Sequence, residues 1–150
     1  MARPRFETSE DIANEERFIE TISNSNGESP KKLPPQYSLD YLMLNNYNRP
    51  MRFMELKQRN NRHDQYDTYI ISLKKILNGQ ALSKSLGVPF ELAVRFTDGD
   101  YVCTISDQQP SNIYQIRWME RHNNRDGYDG EPVVHIPMWN FSKIDDTYWQ

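Results

Sequence analysis

Two carboxylates and a lysine are placed where they could act together on a phosphate: Asp40, Glu55 and Lys57. Carboxylates held side by side repel one another unless one takes up a proton or a cation bridges them. A hard divalent cation such as Mg²⁺ or Mn²⁺ prefers such oxygen ligands. A neighbouring ammonium can stabilise negative charge that develops on a phosphate. The three residues therefore suit metal-assisted hydrolysis of a phosphodiester.

A β-hairpin is the element that would bring these residues together. Residues 37–44 and 51–58 are rich in apolar and aromatic side chains and are separated by turn-forming residues, which predicts two strands. A turn centred midway between them places Asp40 opposite Glu55, with Cβ atoms about 5 Å apart. Because strand side chains alternate between faces, Glu55 and Lys57 share one face.

The same pattern has a simpler interpretation. Charges of this kind on a strand are commonly a solvated face with a surface ion pair, and spacing alone favours that interpretation. The register, which would also pair Ser38 with Lys57, is an assumption, and a slip of one residue would separate the faces.

A family resemblance favours the catalytic interpretation. Leu39-Asp40 followed by Glu55-Leu56-Lys57 resembles the PD-(D/E)XK nuclease superfamily, although Leu39 replaces the usual proline. More narrowly, most of the chain resembles small uncharacterised phage proteins of that superfamily. The segments that carry this resemblance are Pro4-Arg-Phe-Glu-Thr8, Tyr37-Ser-Leu-Asp40, Met54-Glu-Leu-Lys-Gln-Arg59, Tyr69-Ile-Ile-Ser-Leu-Lys74, Gly87-Val-Pro89, Arg95-Phe-Thr-Asp-Gly99 and Glu131-Pro-Val-Val-His-Ile-Pro137.

The resemblance implies a fold, an activity and roles for residues. The fold would be α/β and restriction-endonuclease-like, a mixed central sheet flanked by helices with extra C-terminal antiparallel strands, in a single domain over residues 1–150. Asp40 and Glu55 would bind Mg²⁺ or Mn²⁺, with the Leu56 carbonyl as a third ligand, and Lys57 would be the catalytic lysine. The substrate would be DNA.

The first predicted helix offers a further carboxylate. Thr8 is a good N-cap, and Ile12, Ile19 and Ile22 form one stripe of a helix over residues 8–24. At about 100° per residue, Glu15 falls inside that stripe and Glu16 at its edge. A glutamate that faces a sheet needs a partner or a metal. We therefore expect Glu15, rather than Glu16, to join the site, unless it is an ordinary exposed helix residue.

Three residues are predicted to contact DNA. Arg59 continues the strand face of Glu55 and Lys57 and could grip a phosphate with its two-pronged guanidinium, although a solvated arginine at a strand end is as common. A helix predicted over residues 66–85 would supply Tyr66 and Lys74 as phosphate contacts. It also presents Tyr69, Ser72, Leu73 and Lys75, of which Tyr69 and Leu73 are expected in the core.

The rest of the chain predicts further strands and turns. Residues 24–35 are expected to be a loop, 90–97 and 101–105 a hairpin joined through Asp98-Gly99, 113–119 and 133–136 strands, and 138–150 an aromatic tail with one helical turn. His63, His122 and His135 lack zinc-ligand spacing. Asp126, Asp129 and Glu131 favour a turn over a calcium loop. Cys103 is expected to be a small buried hydrophobe.

Composition limits the possible classes. A net charge of −3 and a pI near 5.6 argue against a protein that simply coats DNA, so any DNA site must be a local basic patch beside metal ions. The absence of a long apolar run or secretory leader, together with one cysteine, predicts a cytoplasmic protein, in the host cytoplasm if phage-encoded, or a virion component. The rival function is an inactive nuclease fold that binds DNA or protein. Its oligomer or phage-partner contact would be the tail aromatics Trp139, Phe141, Tyr148 and Trp149.

Overall fold

The computed structural model describes residues 8–120 and 130–145. Its elements, in chain order, are α1 (Ser9–Asn26), β1 (Ser29–Lys32), β2 (Tyr41–Leu44), β3 (Pro50–Gln58), β4 (Thr68–Ser72), α2 (Leu73–Leu86), β5 (Phe90–Phe96), β6 (Gly99–Ile105), α3 (Pro110–Ile113), β7 (Gln115–Glu120), β8 (Gly130–Pro137) and β9 (Ser142–Lys143), with 3₁₀ turns at Pro35–Tyr37 and Met138–Asn140.

A mixed sheet forms the centre of the described structure. Its strands lie in the order β1-β2-β3-β5-β6-β9. β3 and β5 pair in parallel, and the other neighbours pair antiparallel. A second, antiparallel sheet has the order β4-β8-β7. This mixed α/β architecture with additional C-terminal strands agrees with the predicted fold class. No helix in the described ranges is long and apolar enough to cross a membrane.

Helix α1 packs on one face of the central sheet. Thr8 closes a capping box, accepting a hydrogen bond from the Asp11 N–H (3.0 Å) while the Asp11 carboxylate accepts one from the Thr8 N–H (3.2 Å). The buried side chains of α1 are Phe18, Ile19 and Ile22. Ile12, which the predicted stripe included, is instead 44% exposed. The buried face of α1 is centred on Phe18, Ile19 and Ile22. Ile12, in the first turn, lies beyond the edge of the contact between this face and the sheet.

Residues 24–35, predicted as a loop, instead contain the edge strand β1. It pairs with β2 from Ser29↔Leu44 to Lys32↔Tyr41. Pro30 is compatible with this position because an edge strand can leave one side unpaired.

The strand predicted over residues 37–44 is only half a strand. The prolines before it start a 3₁₀ turn at Pro35–Tyr37, and Ser38 then adopts a left-handed conformation with φ 60°. Strand pairing begins at Tyr41. The predicted pairing of Ser38 with Lys57 is therefore wrong.

The helix predicted over residues 66–85 is wrong in its first part. Thr68–Ser72 is strand β4, which pairs antiparallel with β8, and the helix α2 begins only at Leu73. The run Thr-Tyr-Ile-Ile has β-branched and aromatic side chains that suit a strand. Its apolar spacing fits both structures, so the pairing partner from the distant β8 decides the outcome. Tyr69 is buried, as expected.

The C-terminal predictions are largely confirmed. The Asp98-Gly99 hairpin forms between β5 and β6. The strand expected over 113–119 begins later, as β7, because a short turn of helix (Pro110–Ile113) precedes it. The expected helical turn of the tail is the 3₁₀ turn at Met138–Asn140. Phe141 is in the core and Trp139 is 81% exposed, whereas Tyr148 and Trp149 lie outside the described residues.

Close contact between α2 and β5 supplies a test of the packing. A Cβ added at Gly79 would lie 2.2 Å from Cε2 of Phe90, whose side chain is fully buried. Gly79→Ala should therefore destabilise the fold by about 1–3 kcal/mol through overpacking, although alanine favours a helix by about 1 kcal/mol. Urea unfolding would measure this change. Ser85→Ala, exposed on the same helix, should stay within about 0.5 kcal/mol of wild type, and a more stable Gly79→Ala protein would contradict the contact.

Candidate active site

The hairpin register brings Asp40 and Glu55 together. Tyr41 pairs with Met54, which confirms the predicted register, and Asp40 directly precedes β2 and lies across from Glu55. The Asp40 carboxylate is buried, and its Oδ2 accepts a hydrogen bond from the N–H of Leu56 (2.8 Å). The backbone beside Glu55 therefore holds Asp40 in place.

Glu55 is the most deeply buried member of the site. Its side chain is 2% exposed, and its Oε1 has no hydrogen-bond partner among the described residues. Its Oε2 lies 3.3 Å from Nζ of Lys75 and 3.5 Å from Nζ of Lys57. Burial, followed by the nearby charge of Asp40, raises the pKa of Glu55 to about 7, against the effect of the two lysines. A buried oxygen in this state, next to a second carboxylate, suits a hard cation.

The two lysines come from different elements and differ in their contacts. Lys57 extends from the same strand face as Glu55 and keeps 38% of its side chain exposed. Lys75, from the first turn of α2, also donates to the carbonyl of Ser38 (2.5 Å). It thus connects α2 to the segment that leads into Asp40. Lys74, the lysine of this helix that the sequence favours, is exposed beside it.

Glu15 lies in a second layer of charge behind Asp40. Its Oε2 accepts hydrogen bonds from Nζ of Lys32 (2.8 Å) and from the hydroxyl of Tyr41 (3.1 Å). The same ammonium lies 3.4 Å from Oδ1 of Asp40. Burial and then the charge of Glu15 raise the pKa of Tyr41. Glu16 is exposed, so Glu15 is the α1 glutamate that the structure brings to the site.

Lys32 is a member of the site that the sequence does not single out. Its segment has the composition of a loop, and no local pattern distinguishes it from Lys31. Only the pairing of β1 with β2, which sets Lys32 opposite Tyr41, directs it to the carboxylates.

Arg59 directly follows β3 and borders three open spaces. Its guanidinium lies over the ring of Tyr69, 4.9 Å from the centroid. A cleft of about 420 Å³ between α1 and β3 is lined by Glu15, Lys57 and Arg59 among others. A second space of about 430 Å³, on the other side of Arg59, is bordered by Tyr66. Two of the three predicted DNA-contacting residues, Arg59 and Tyr66, therefore border open space, and the cleft at Arg59 also reaches Lys57 and Glu15.

A comparison with the other buried carboxylates sets the site apart. Glu28 and Glu91 are also buried, but the guanidinium of Arg52 bonds to both. The guanidinium neutralises the charge of both carboxylates, so these three residues form a structural ion network. Asp40 and Glu55 instead face flexible lysine side chains at the edge of open space.

Within the described ranges, His63, Asp64 and Asp98 form a group that could hold a metal ion, with one ligand atom of each within 4.8 Å of the others. Arg62 pairs with both aspartates, and His63 bonds to Asp98, so this cluster has its own positive partners. Cys103 is buried, as predicted, and burial raises its pKa to about 12. His122, Asp126 and Asp129 lie outside the described residues.

Comparison with known proteins decides the family. A family model described as "Phage putative PDDEXK endonuclease" matches residues 1–144. The chain belongs to this family. Membership supports a nuclease of phage origin, as the resemblance of the sequence implied.

A solved structure agrees with the family at the level of the fold. The Holliday junction resolvase Hjc of Archaeoglobus fulgidus superposes with a TM-score of 0.56, covering 88% of this chain and 90% of that chain at 10% identity. At this identity the likeness shows a shared restriction-endonuclease-like fold and no more. No curated protein gives a significant match.

Proposed function

We propose that this member of the PD-(D/E)XK family is a metal-dependent deoxyribonuclease with Asp40, Glu55 and Lys57 at its centre. The observation that carries the proposal is the buried pair of carboxylates, since Oε1 of Glu55 has no hydrogen-bond partner in the described part of the chain and Asp40 lies across the register from it. Burying two such charges side by side is costly unless a cation joins them.

The residues of the proposed site would have two roles, metal binding and stabilisation of the phosphate. Asp40 and Oε1 of Glu55 would hold one Mg²⁺ or Mn²⁺, with the carbonyl of Leu56 as the additional ligand. The bound ion would activate water and neutralise phosphate charge. Lys57, partly exposed beside Glu55, would orient the water or stabilise charge on the phosphate.

The surrounding residues position these groups. Lys75 bonds to Ser38 and to Glu55, which fixes the approach of the chain into Asp40. Lys32 and Glu15 hold the other side of Asp40, and Glu15 is our candidate for a third acidic member of the site. Arg59 and Tyr66 would contact DNA, with Lys74 as a further phosphate contact. The protein would act in the cytoplasm of the phage host, as one domain over residues 1–150.

A cleavage assay tests the proposal. Purified protein is incubated with linear, circular and branched DNA in Mg²⁺, in Mn²⁺ and in EDTA. We expect cleavage only with a divalent ion, and background cleavage for Asp40→Asn because that change weakens the ion's ligands. Asp107→Asn, an exposed aspartate in a loop after β6, should cleave like wild type. Equal cleavage by wild type and Asp40→Asn would mean a contaminant and would refute the site.

A further inference from the structure

The space on the far side of Arg59 differs in chemistry from the carboxylate site. This aromatic pocket, of about 430 Å³, is bordered by Arg59, Tyr66, Tyr69, Phe96, Met119 and Met138 among others. Its volume is within the range of about 300–1,000 Å³ that is typical of small-ligand sites. Aromatic rings and methionine side chains dominate its walls, and these are surfaces on which flat, apolar groups pack.

The aromatic pocket adjoins a cleft that the proposed catalytic lysine borders. A narrower cleft of about 230 Å³, bordered by Lys57, Lys75 and Arg59, shares Arg59, Ile70 and Met119 with the pocket. Arg59 continues the pairing of β3, since its N–H donates to the carbonyl of Arg95 (3.0 Å). At the rise of a strand it lies about 13 Å from Glu55, which is a few nucleotides along a nucleic acid strand.

Two tyrosines border the pocket and differ in what they offer an occupant. Tyr66, at the rim, is 61% exposed, so its ring is available for stacking. Tyr69, in the wall, is buried, and its hydroxyl is closed off from open space and has no hydrogen-bond partner among the described residues. Tyr66 is therefore the tyrosine whose ring an occupant can reach.

We propose that the aromatic pocket receives a single unpaired nucleobase of the DNA that the catalytic residues cleave. This rests on the proposed function and extends it, because it makes DNA with an unpaired or displaced base the preferred substrate. An unpaired base has a flat face for Tyr66, and stacking against aromatic side chains is one way in which proteins hold extruded bases. Arg59, between the pocket and the lysine-lined cleft, pairs with a backbone phosphate between the two positions.

A binding assay in EDTA isolates the pocket from catalysis. Three duplexes of one sequence are compared: one fully paired, one with a single bulged 2-aminopurine, and one with a bulged abasic site in its place. Affinity is read from the anisotropy of an end label, and stacking from the emission of 2-aminopurine. The abasic duplex has the same flexible backbone, so a preference over it reports the base alone.

Wild type should bind the bulged base at least about fivefold more tightly than the abasic duplex, in line with the energy of a base stacked on an aromatic ring. Tyr66→Ala should abolish that preference and Tyr66→Phe should keep it. Tyr47→Ala removes another exposed tyrosine, in the turn before β3, and should behave as wild type.

The results separate the pocket from the nuclease. A wild-type protein that binds bulged and abasic duplexes equally, or a preference that survives Tyr66→Ala, would overturn the pocket even if the protein cleaves DNA with Mg²⁺ or Mn²⁺. A Tyr66-dependent preference in a protein that cleaves no DNA would support the pocket and refute the proposed function.

Discussion

Replacing Lys57 with methionine should slow DNA cleavage by about 100- to 1,000-fold, the usual cost of losing one group that stabilises developing negative charge. Methionine keeps the length and bulk of the side chain and removes only the ammonium. Because Lys57 is partly exposed and makes one long contact with Glu55 (3.5 Å), the fold should stay intact. Single-turnover cleavage in saturating Mn²⁺ measures the rate of the chemical step. The change in the spectroscopic signal of Mn²⁺ during a titration measures how tightly the protein binds the ion.

Lys75→Met should be compared with Lys57→Met, because the two lysines both contact Glu55 but differ in their other contacts. Lys75 bonds to Ser38 as well as to Glu55. Its positive charge lowers the pKa of Glu55 more than the charge of Lys57 does. Its loss leaves a buried carboxylate and a carbonyl without their donor, so we expect a loss of about 1–3 kcal/mol in the free energy of unfolding.

Lys84→Met, at the exposed far end of α2, should change neither stability nor rate. If Lys57→Met cleaved as fast as this control, Lys57 would not be the catalytic lysine and the ion-pair interpretation of the strand would stand.

Glu55→Gln should make the metal-free protein more stable than wild type at pH 8, by about 3 kcal/mol, because a pKa that changes by one on folding corresponds to about 1.4 kcal/mol. The pKa of Glu55 is raised from 4.5 to about 7 in the folded protein, first by burial and then by Asp40. Glutamine resembles the protonated form, which the folded protein prefers, and is free of the cost of burying the charge.

The direction of the pH dependence follows from linkage. Between pH 4.5 and about 7 the folded protein holds the Glu55 proton more tightly than the unfolded chain does. The stability that protonated Glu55 contributes is therefore fully present below pH 4.5, and this contribution is lost as the pH rises through about 7. The advantage of Glu55→Gln should shrink to less than about 1 kcal/mol at pH 5.

Urea unfolding in EDTA at the two pH values measures this difference, and Glu20→Gln, on the exposed face of α1, controls for loss of a carboxylate. Excess Mn²⁺ at pH 8 should then stabilise wild type and leave Glu55→Gln nearly unchanged. A Glu55→Gln protein less stable than wild type at pH 8 without metal would show that the lysine contacts outweigh burial, and that a cation is not needed there.

The local sequence was sufficient to predict the hairpin that carries the site. Turn residues between two apolar strands fix the pairing, and the buried pair Tyr41↔Met54 confirms the register that sets Asp40 across from Glu55. Glu15 was also selected from helical geometry alone, because an angle along one helix is a local property. The catalytic roles of these residues remain predictions.

Segments whose structure depends on a distant partner were not predictable in this way. Thr68–Ser72 has apolar spacing that suits a helix or a strand, and β8, far along the chain, makes it a strand. That change starts α2 at Leu73 and directs Lys75, rather than Lys74, toward Glu55.

The sequence by itself therefore determined the family and the order of the acidic and basic residues. The tertiary structure decided which cations meet those acids and where an aromatic pocket opens beside them. Lys32 reaches Asp40 only because β1 pairs with β2, and the pocket lies where Tyr69 of β4 meets Phe96 of β5. Pairing between distant strands is set by burial over the whole fold, and no short segment encodes it.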